Sequence, residues 1–271
     1  MSPDSLAVTG LGAVTGYCDP VPFLRVRKQR KFMGVQDDLA VVAAGRAIES
    51  AGLPRALGQR AGLYMAVGYI PFERIDMDEL LKGSVDERGA FSMARFSTVG
   101  YESVNPLLTF RCLSNMPAYH VSANFDVQGP YVVTYPGAGQ FYLALEEACA
   151  ALKAGTIDVA LVAGVAHQKN FLVQHHFARL DPPADRIEDA AACLVLERAP
   201  DRPARAHLRE LAIAYEPHNP FEETTAPRET GADPAMGPAS LAVALCGAKG
   251  TLRHELVARD GIRASSTWEL A

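Results

Sequence analysis

The apolar and polar positions along the chain fall into alternating strand-like and helix-like stretches. Leu6–Leu11 is a short apolar run, read as a buried strand running into a glycine turn. From Asp37 to Ser50 the residues Leu39, Val42, Ala43, Ala47 and Ile48 recur at helical spacing, with acids at the start and Gly52 just past the end. The same periodicity assigns Asp37 and Asp38, and later Glu146 and Glu147, to exposed helix positions. Gly62–Gly68 reads as a second buried strand. Residues 70–103 are irregular, with short helical pieces such as Met77–Leu81.

The middle of the chain is more strongly patterned. Met116–Asn124 is helical in character, and Gln128–Pro130 is a turn. Tyr131–Tyr135 is a β-rich strand. Phe141, Leu145, Ala148 and Leu152 then share one face of a helix over Phe141–Ala154, which Gly155 stops. Ile157–Ala163 is another buried strand, so strand, helix and strand imply a parallel βαβ unit with helices covering a sheet. After the polar segment Asp181–Asp189, Ala191–Glu197 returns as a strand. Residues 216–236, rich in Pro, Glu and Thr, read as an exposed loop or linker. The tail predicts a helix over Pro238–Ala248 and strands over Leu252–Val257 and Ile262–Leu270.

Composition narrows the function classes. The chain has 271 residues, enough for one large α/β domain or two small ones. A formal net charge of -5 provides no broad basic field for nucleic acid, and the basic run Arg25–Lys31 reads as a solvated loop. No stretch approaches the ~20 apolar residues of a membrane span. The N-terminus lacks the basic start and apolar run of a signal peptide, so a cytoplasmic protein is expected. Cys18, Cys112, Cys149, Cys193 and Cys246 are scattered without C-x-x-C spacing, and read as buried reduced thiols. Neither a metal nor a cofactor is expected.

Two motifs invite chemistry that their spacing does not support. Gly10, Gly12 and Gly16 give G-x-G-x-x-x-G, which is not the dinucleotide fingerprint, and no acidic ribose ligand follows ~20 residues later. His175 and His176 are adjacent, so their side chains point apart, and no H-x-x-x-H partner follows; they read as surface or partner-facing. The absence of a G-x-S-x-G elbow argues against a serine hydrolase.

The informative stretch runs from Asn105 to Val165. It places Asn115-Met116 ahead of His120, then Gly129-Pro130, a strand, Ala144-Leu145, Ala151-Leu152, Gly155, Asp158 and Gly164-Val165 in ungapped order. Val8–Gly12, Ala51–Leu53 and Ala192–Glu197 add to the series. This order resembles the β-ketoacyl synthases of fatty acid and polyketide assembly, over roughly residues 5–198. The resemblance implies an α/β thiolase-like fold of layered α/β/α/β/α type, with a complete N-terminal half over 1–198. The C-terminal half, over 199–271, is a reduced remnant that includes the loop 216–236.

The resemblance also exposes a departure. Its nucleophile column falls on Ala138, flanked by Gly137, Gly139 and Gln140, none of which carries a thiol. A condensing enzyme needs a thiolate there, with its pKa lowered by the helix start. Cys149 lies about three helical turns further along. The second half is too short for a complete copy. Met236–Ser240 is read as the remnant of a histidine-glycine helix entry, and Arg263–Leu270 as the last strand. Neither carries the family's histidine or its glycine-rich gate, and His254 between them receives no role.

A pseudoenzyme of this family implies a chain length factor-like subunit, most similar to the shortened ketosynthase-like partners of aryl polyene and type II polyketide systems. Such a subunit forms a heterodimer with a catalytic ketosynthase, completes its acyl tunnel, and meets acyl carrier protein through the complex. The expected interface and tunnel residues are Leu107, Leu108, Phe110, Met116, Tyr119, Tyr131, Val133 and Tyr135. Two alternatives are a malonyl-carrier-protein decarboxylase, in which a glutamine fills the nucleophile column, and a stand-alone carrier-protein binding module.

Overall fold

Strand and helix alternate as the periodicity predicts, and the strands join in one mixed sheet. The computed structural model describes residues 6–70, 74–178, 187–198, 200–216, 230–231, 236–258 and 260–271. In chain order the elements are β1 (Leu6–Thr15), α1 (Val35–Ala51), β2 (Ala61–Val67), α2 (Arg74–Gly83), α3 (Met93–Arg95), α4 (Leu108–Cys112), α5 (Met116–Phe125) and β3 (Tyr131–Thr134). They continue as α6 (Gln140–Lys153), β4 (Val159–Ala166), α7 (Phe171–Ala178), β5 (Ala190–Arg198), β6 (Ala206–Tyr215), α8 (Ser240–Gly247), β7 (Thr251–Val257) and β8 (Ile262–Leu270). The spatial order is β3-β2-β4-β5-β1-β6-β8-β7. The predicted loop over 216–236 and the segment Asp181–Asp189 lie mostly outside the described residues.

The predicted βαβ unit is present. β3 and β4 both run parallel to β2, one on each side, and α6 crosses between them. Helices cover both faces, as a sheet apolar on both sides requires. α1 and α5 pack with Leu63, Leu161, Cys193 and Val195 on one face. α6 and α8 pack with Tyr64, Val162, Leu194 and Trp268 on the other. Gly52 ends α1 and Gly155 follows α6, both at positive φ, as their places in the sequence predict.

One expectation needs correction at β1. The strand does not give way to a turn after Leu11 but continues to Thr15, and the turn comes at Gly16, φ 67°. Gly10 and Gly12 let α1 lie directly on the strand. A Cβ on Gly12 would sit 2.3 Å from the Ala43 carbonyl oxygen, and one on Gly10 2.1 Å from that of Ala47.

The last three strands repeat an earlier set in register. β1 pairs with β5 from Leu6↔Arg198 to Thr15↔Ala190, with a bulge between Val8 and Gly10. β6 pairs with β8 from Ala206↔Leu270 to Tyr215↔Ile262, with a bulge between Leu208 and Glu210. β5 against β4 and β8 against β7 also correspond, as Val159↔Glu197 matches Thr251↔Glu269. Two antiparallel pairs, Ala7↔His207 and Val8↔Ala206, join the sets. The second half therefore keeps the counterparts of β1, β5 and β4. Its residues 216–250 stand where 16–158 carry β2, β3 and α1–α6 in the first.

The reduction is written in the side chains. In the first half Val14, Ala191, Cys193, Val195, Leu161, Ala163 and Val165 are buried with α1. Their counterparts are Ala214, Arg263, Ser265, Thr267, Arg253, Glu255 and Val257. None of these seven is buried, and five are polar or charged. Among the described residues no helix covers this face, and polar side chains suit a sheet face that meets water. The inner face stays apolar, with Leu256, Ile262, Ala264 and Trp268 buried against α6 and α8.

Candidate functional site

The carboxyl ends of parallel strands, where helices begin, are where open α/β sheets place their chemistry. Ala138 lies there, between β3 and α6, 9% exposed and within the apolar cluster of α6 and the β7–β8 hairpin. Thr134 Oγ1 donates to the Gln140 carbonyl at 2.8 Å and fixes the entry to α6. Gln140 Nε2 donates to Asp260 Oδ2 at 2.7 Å. One turn into α6, the Tyr142 hydroxyl meets His254 Nδ1 at 2.7 Å and Ser266 Oγ at 2.9 Å, and Trp268 Nε1 donates to Ser266 Oγ at 2.8 Å. Burial pushes the Tyr142 phenol up to about 12, against the pull of the Ser266 contact. Burial holds the His254 imidazole below its ordinary value. His254, which the sequence left without a role, is thus a structural tie between β7 and α6.

The cysteines offer no ready thiolate in this region. Burial raises Cys149 to about 12, raises Cys18 and Cys246 to about 11, and holds Cys193 above the ordinary thiol range.

The predicted interface residues divide into two sets. Tyr131 is exposed on β3, which has β2 on one side and, among the described residues, no strand on the other. Tyr119 on α5 and Phe110 on α4 are also exposed, and Phe110 meets Phe32 edge-on at 5.7 Å. Tyr135 is 40% exposed, beside Tyr69. By contrast Leu108 and Met116 are buried, and Leu107 and Val133 are half-buried. His175 is exposed on α7.

Asp37 and Asp38 are buried, not exposed as periodicity implied. At the start of α1 these two side chains turn away from solvent, toward Gly34, His120 and Arg30, while Val35 takes the exposed position. Asp37 Oδ2 accepts from Gly34 N at 2.7 Å and so caps the helix, and lies 3.9 Å from His120 Nε2. Asp38 pairs with Arg30 at 2.7 Å. Burial raises the Asp37 carboxyl well above its usual range and Asp38 to about 7, and lowers His120 to about 4. Nearby, His167 Nδ1 lies 2.9 Å from Asp189 Oδ1, while its backbone N–H donates to Gln36 Oε1 at 3.0 Å. Burial tends to raise Asp189, but its bonds with His167 and Lys169 N hold it below the usual value. Arg30, Asp38, Asp76, Arg111 and His167 line a cleft of about 160 Å³ here. Sequence reading missed this polar group. Its one signal was the pair of acids following the basic run Arg25–Lys31.

The comparisons with known proteins agree with this architecture. The family model described as "Beta-ketoacyl synthase, N-terminal domain" matches residues 6–193. No curated protein matches the sequence. Among solved structures, a type II polyketide synthase acyl-carrier protein in complex with its ketosynthase bound to the hexaketide (AntDE:AntF) superposes with a TM-score of 0.74. It is 12% identical, over 99% of this chain and 100% of that one. A β-ketoacyl synthase from Burkholderia phymatum STM815 gives 0.67 at 14% identity, over 99% and 100%. The ishigamide ketosynthase/chain length factor gives 0.66 at 14%, over 98% and 99%. At such identities these likenesses establish the thiolase-like fold.

Proposed function

The chain belongs to the β-ketoacyl synthase family through its N-terminal domain, and we propose that it serves there as a non-catalytic, chain length factor-like subunit. It pairs with an active ketosynthase in type II polyketide, polyene or fatty-acid-like assembly, completes the dimer and shapes the acyl tunnel. The observation that carries this reading is Ala138. It stands at the start of α6, where the family resemblance expects the nucleophile, with no thiol in the adjoining residues. The methyl group cannot attack a thioester. The likeness in fold to a ketosynthase/chain length factor supports the same reading.

The surface fits a partner strand. Among the described residues no strand pairs with the outer edge of β3, which carries the large aromatic Tyr131, and an unpaired edge recruits another strand readily. The decarboxylase reading is weaker, since the Gln140 amide is engaged with Asp260. The test is turnover of malonyl- and acyl-carrier protein by the purified chain, alone and with the ketosynthase encoded beside it. Product from the pair and none from the chain alone is expected. Product from the chain alone, above a denatured control, overturns the proposal.

A further inference from the structure

The start of a helix attracts negative charge, because its first amides lack partners and its dipole presents the positive end. At α6 the first amides are already met within the chain, as Gln140 N, Phe141 N and Tyr142 N donate to the Gly137, Ala138 and Gly139 carbonyls at 3.1, 3.3 and 3.0 Å, and a carboxylate lies against the Gln140 side chain. Asp260, in the turn between β7 and β8, holds Oδ2 2.7 Å from Gln140 Nε2, and a Cβ built on Gly137 would lie 3.5 Å from the same oxygen. Asp260 Oδ1 accepts from Ile262 N at 3.2 Å. The turn closes through Ala258 N to the Ile262 carbonyl at 2.8 Å and Gly261 N to the Ala258 carbonyl at 3.0 Å. Its apolar residues press on the helix start: a Cβ on Gly139 would lie 2.9 Å from Ile262 Cβ and 3.0 Å from Ala258 Cβ. One turn deeper, the Tyr142–His254–Ser266 contacts fasten the rest of the hairpin to α6.

We propose that Ala258, Asp260 and Ile262, where β7 passes to β8, form a plug that closes the vestigial nucleophile pocket at the start of α6. The subunit then holds no acyl group at Ala138, and a growing chain in the complex lies wholly outside this pocket. The inference deepens the non-catalytic reading and rests on it for the meaning of the pocket. The closure itself needs no partner. A thiol restored at position 138 would be buried in an apolar cluster, where burial disfavours the thiolate.

The experiment is alkylation of the Ala138→Cys protein with N-ethylmaleimide, followed by peptide mass spectrometry to separate the new thiol from the five native cysteines. A Tyr17→Cys protein is the reference, as Tyr17 is 92% exposed. A plugged site labels only through local opening, so the thiol at 138 should react ~100-fold more slowly than that at 17. Adding Ile262→Ala or Asp260→Gly should quicken it by ~10-fold as the plug loosens. Reaction at 138 as fast as at 17 overturns the plug, and so does a slow thiol that neither turn variant accelerates. A slow thiol in a chain that binds no ketosynthase would sink the pairing reading and leave the plug standing. A fast thiol in a chain that pairs would do the reverse.

Discussion

Replacing His120 by glutamine should make the protein relatively more stable in acid. The ring is buried at the face of α5 toward α1, and burial lowers its pKa from 6.5 to about 4. Asp37, 3.9 Å away, does little for the charged ring, because burial raises its own carboxyl well above the usual range and disfavours its charged form. A depressed folded-state pKa gives stability that is present above the unfolded value and lost as pH falls through the folded one. Each pH unit across this window is worth ~1.4 kcal/mol, so this ring withdraws about 3 kcal/mol between neutral pH and pH 4. Glutamine does not titrate there, and its packing penalty is the same at every pH. Urea unfolding at about pH 7.5 and about pH 4.5 should show His120→Gln gaining roughly 2–3 kcal/mol relative to wild type on acidification. An unchanged difference between the two pH values would refute the buried neutral histidine.

The neighbouring carboxyl predicts the opposite slope. Asp38 is raised from 3.8 to about 7, first by burial, with Arg30 pulling it down. Its contribution is full below its unfolded pKa and fades as pH rises through about 7. Asp38→Asn should therefore gain on wild type as pH rises from about 4 to about 7; a flat difference in the same urea series sinks this. At the expected tunnel face, Phe110→Ala and Leu108→Ala should lengthen the product of the reconstituted pair in at least one case. An added CH₂ is favoured by ~0.8 kcal/mol against an apolar wall, while a clash with a packed wall costs ~1–3 kcal/mol. Unchanged product masses from variants that still assemble would make this face structural only.

The parts of the fold that local pattern governs were legible in the sequence. α6 showed its apolar face and stop glycine, and β2, β4 and β5 showed as apolar runs. β6 escaped notice for a physical reason. The bulge between Leu208 and Glu210 shifts its apolar positions from Ala206 and Leu208 to Leu211 and Ile213, so strict alternation breaks midway. The burial of Asp37 and Asp38 was hidden because helical periodicity puts acids on the wet face, whereas here they meet Gly34, His120 and Arg30, which the local pattern does not show. The place of Ala138 between a strand and a helix was legible from the order of motifs around it. The Gln140–Asp260 contact was not, because it joins residues 120 apart that only the register of β7 and β8 brings together.

The central claim is that this chain completes an active ketosynthase without catalysing. It is tested most directly by co-expressing it with an active ketosynthase from its own gene neighbourhood, should one be encoded there, or otherwise from a type II polyketide system, and weighing the purified complex by native mass spectrometry. The account predicts a one-to-one heterodimer, and its loss when Tyr131 on the β3 edge is replaced by aspartate, which puts a charge into the pairing face. A well-folded chain that remains monomeric in the presence of that ketosynthase would contradict it.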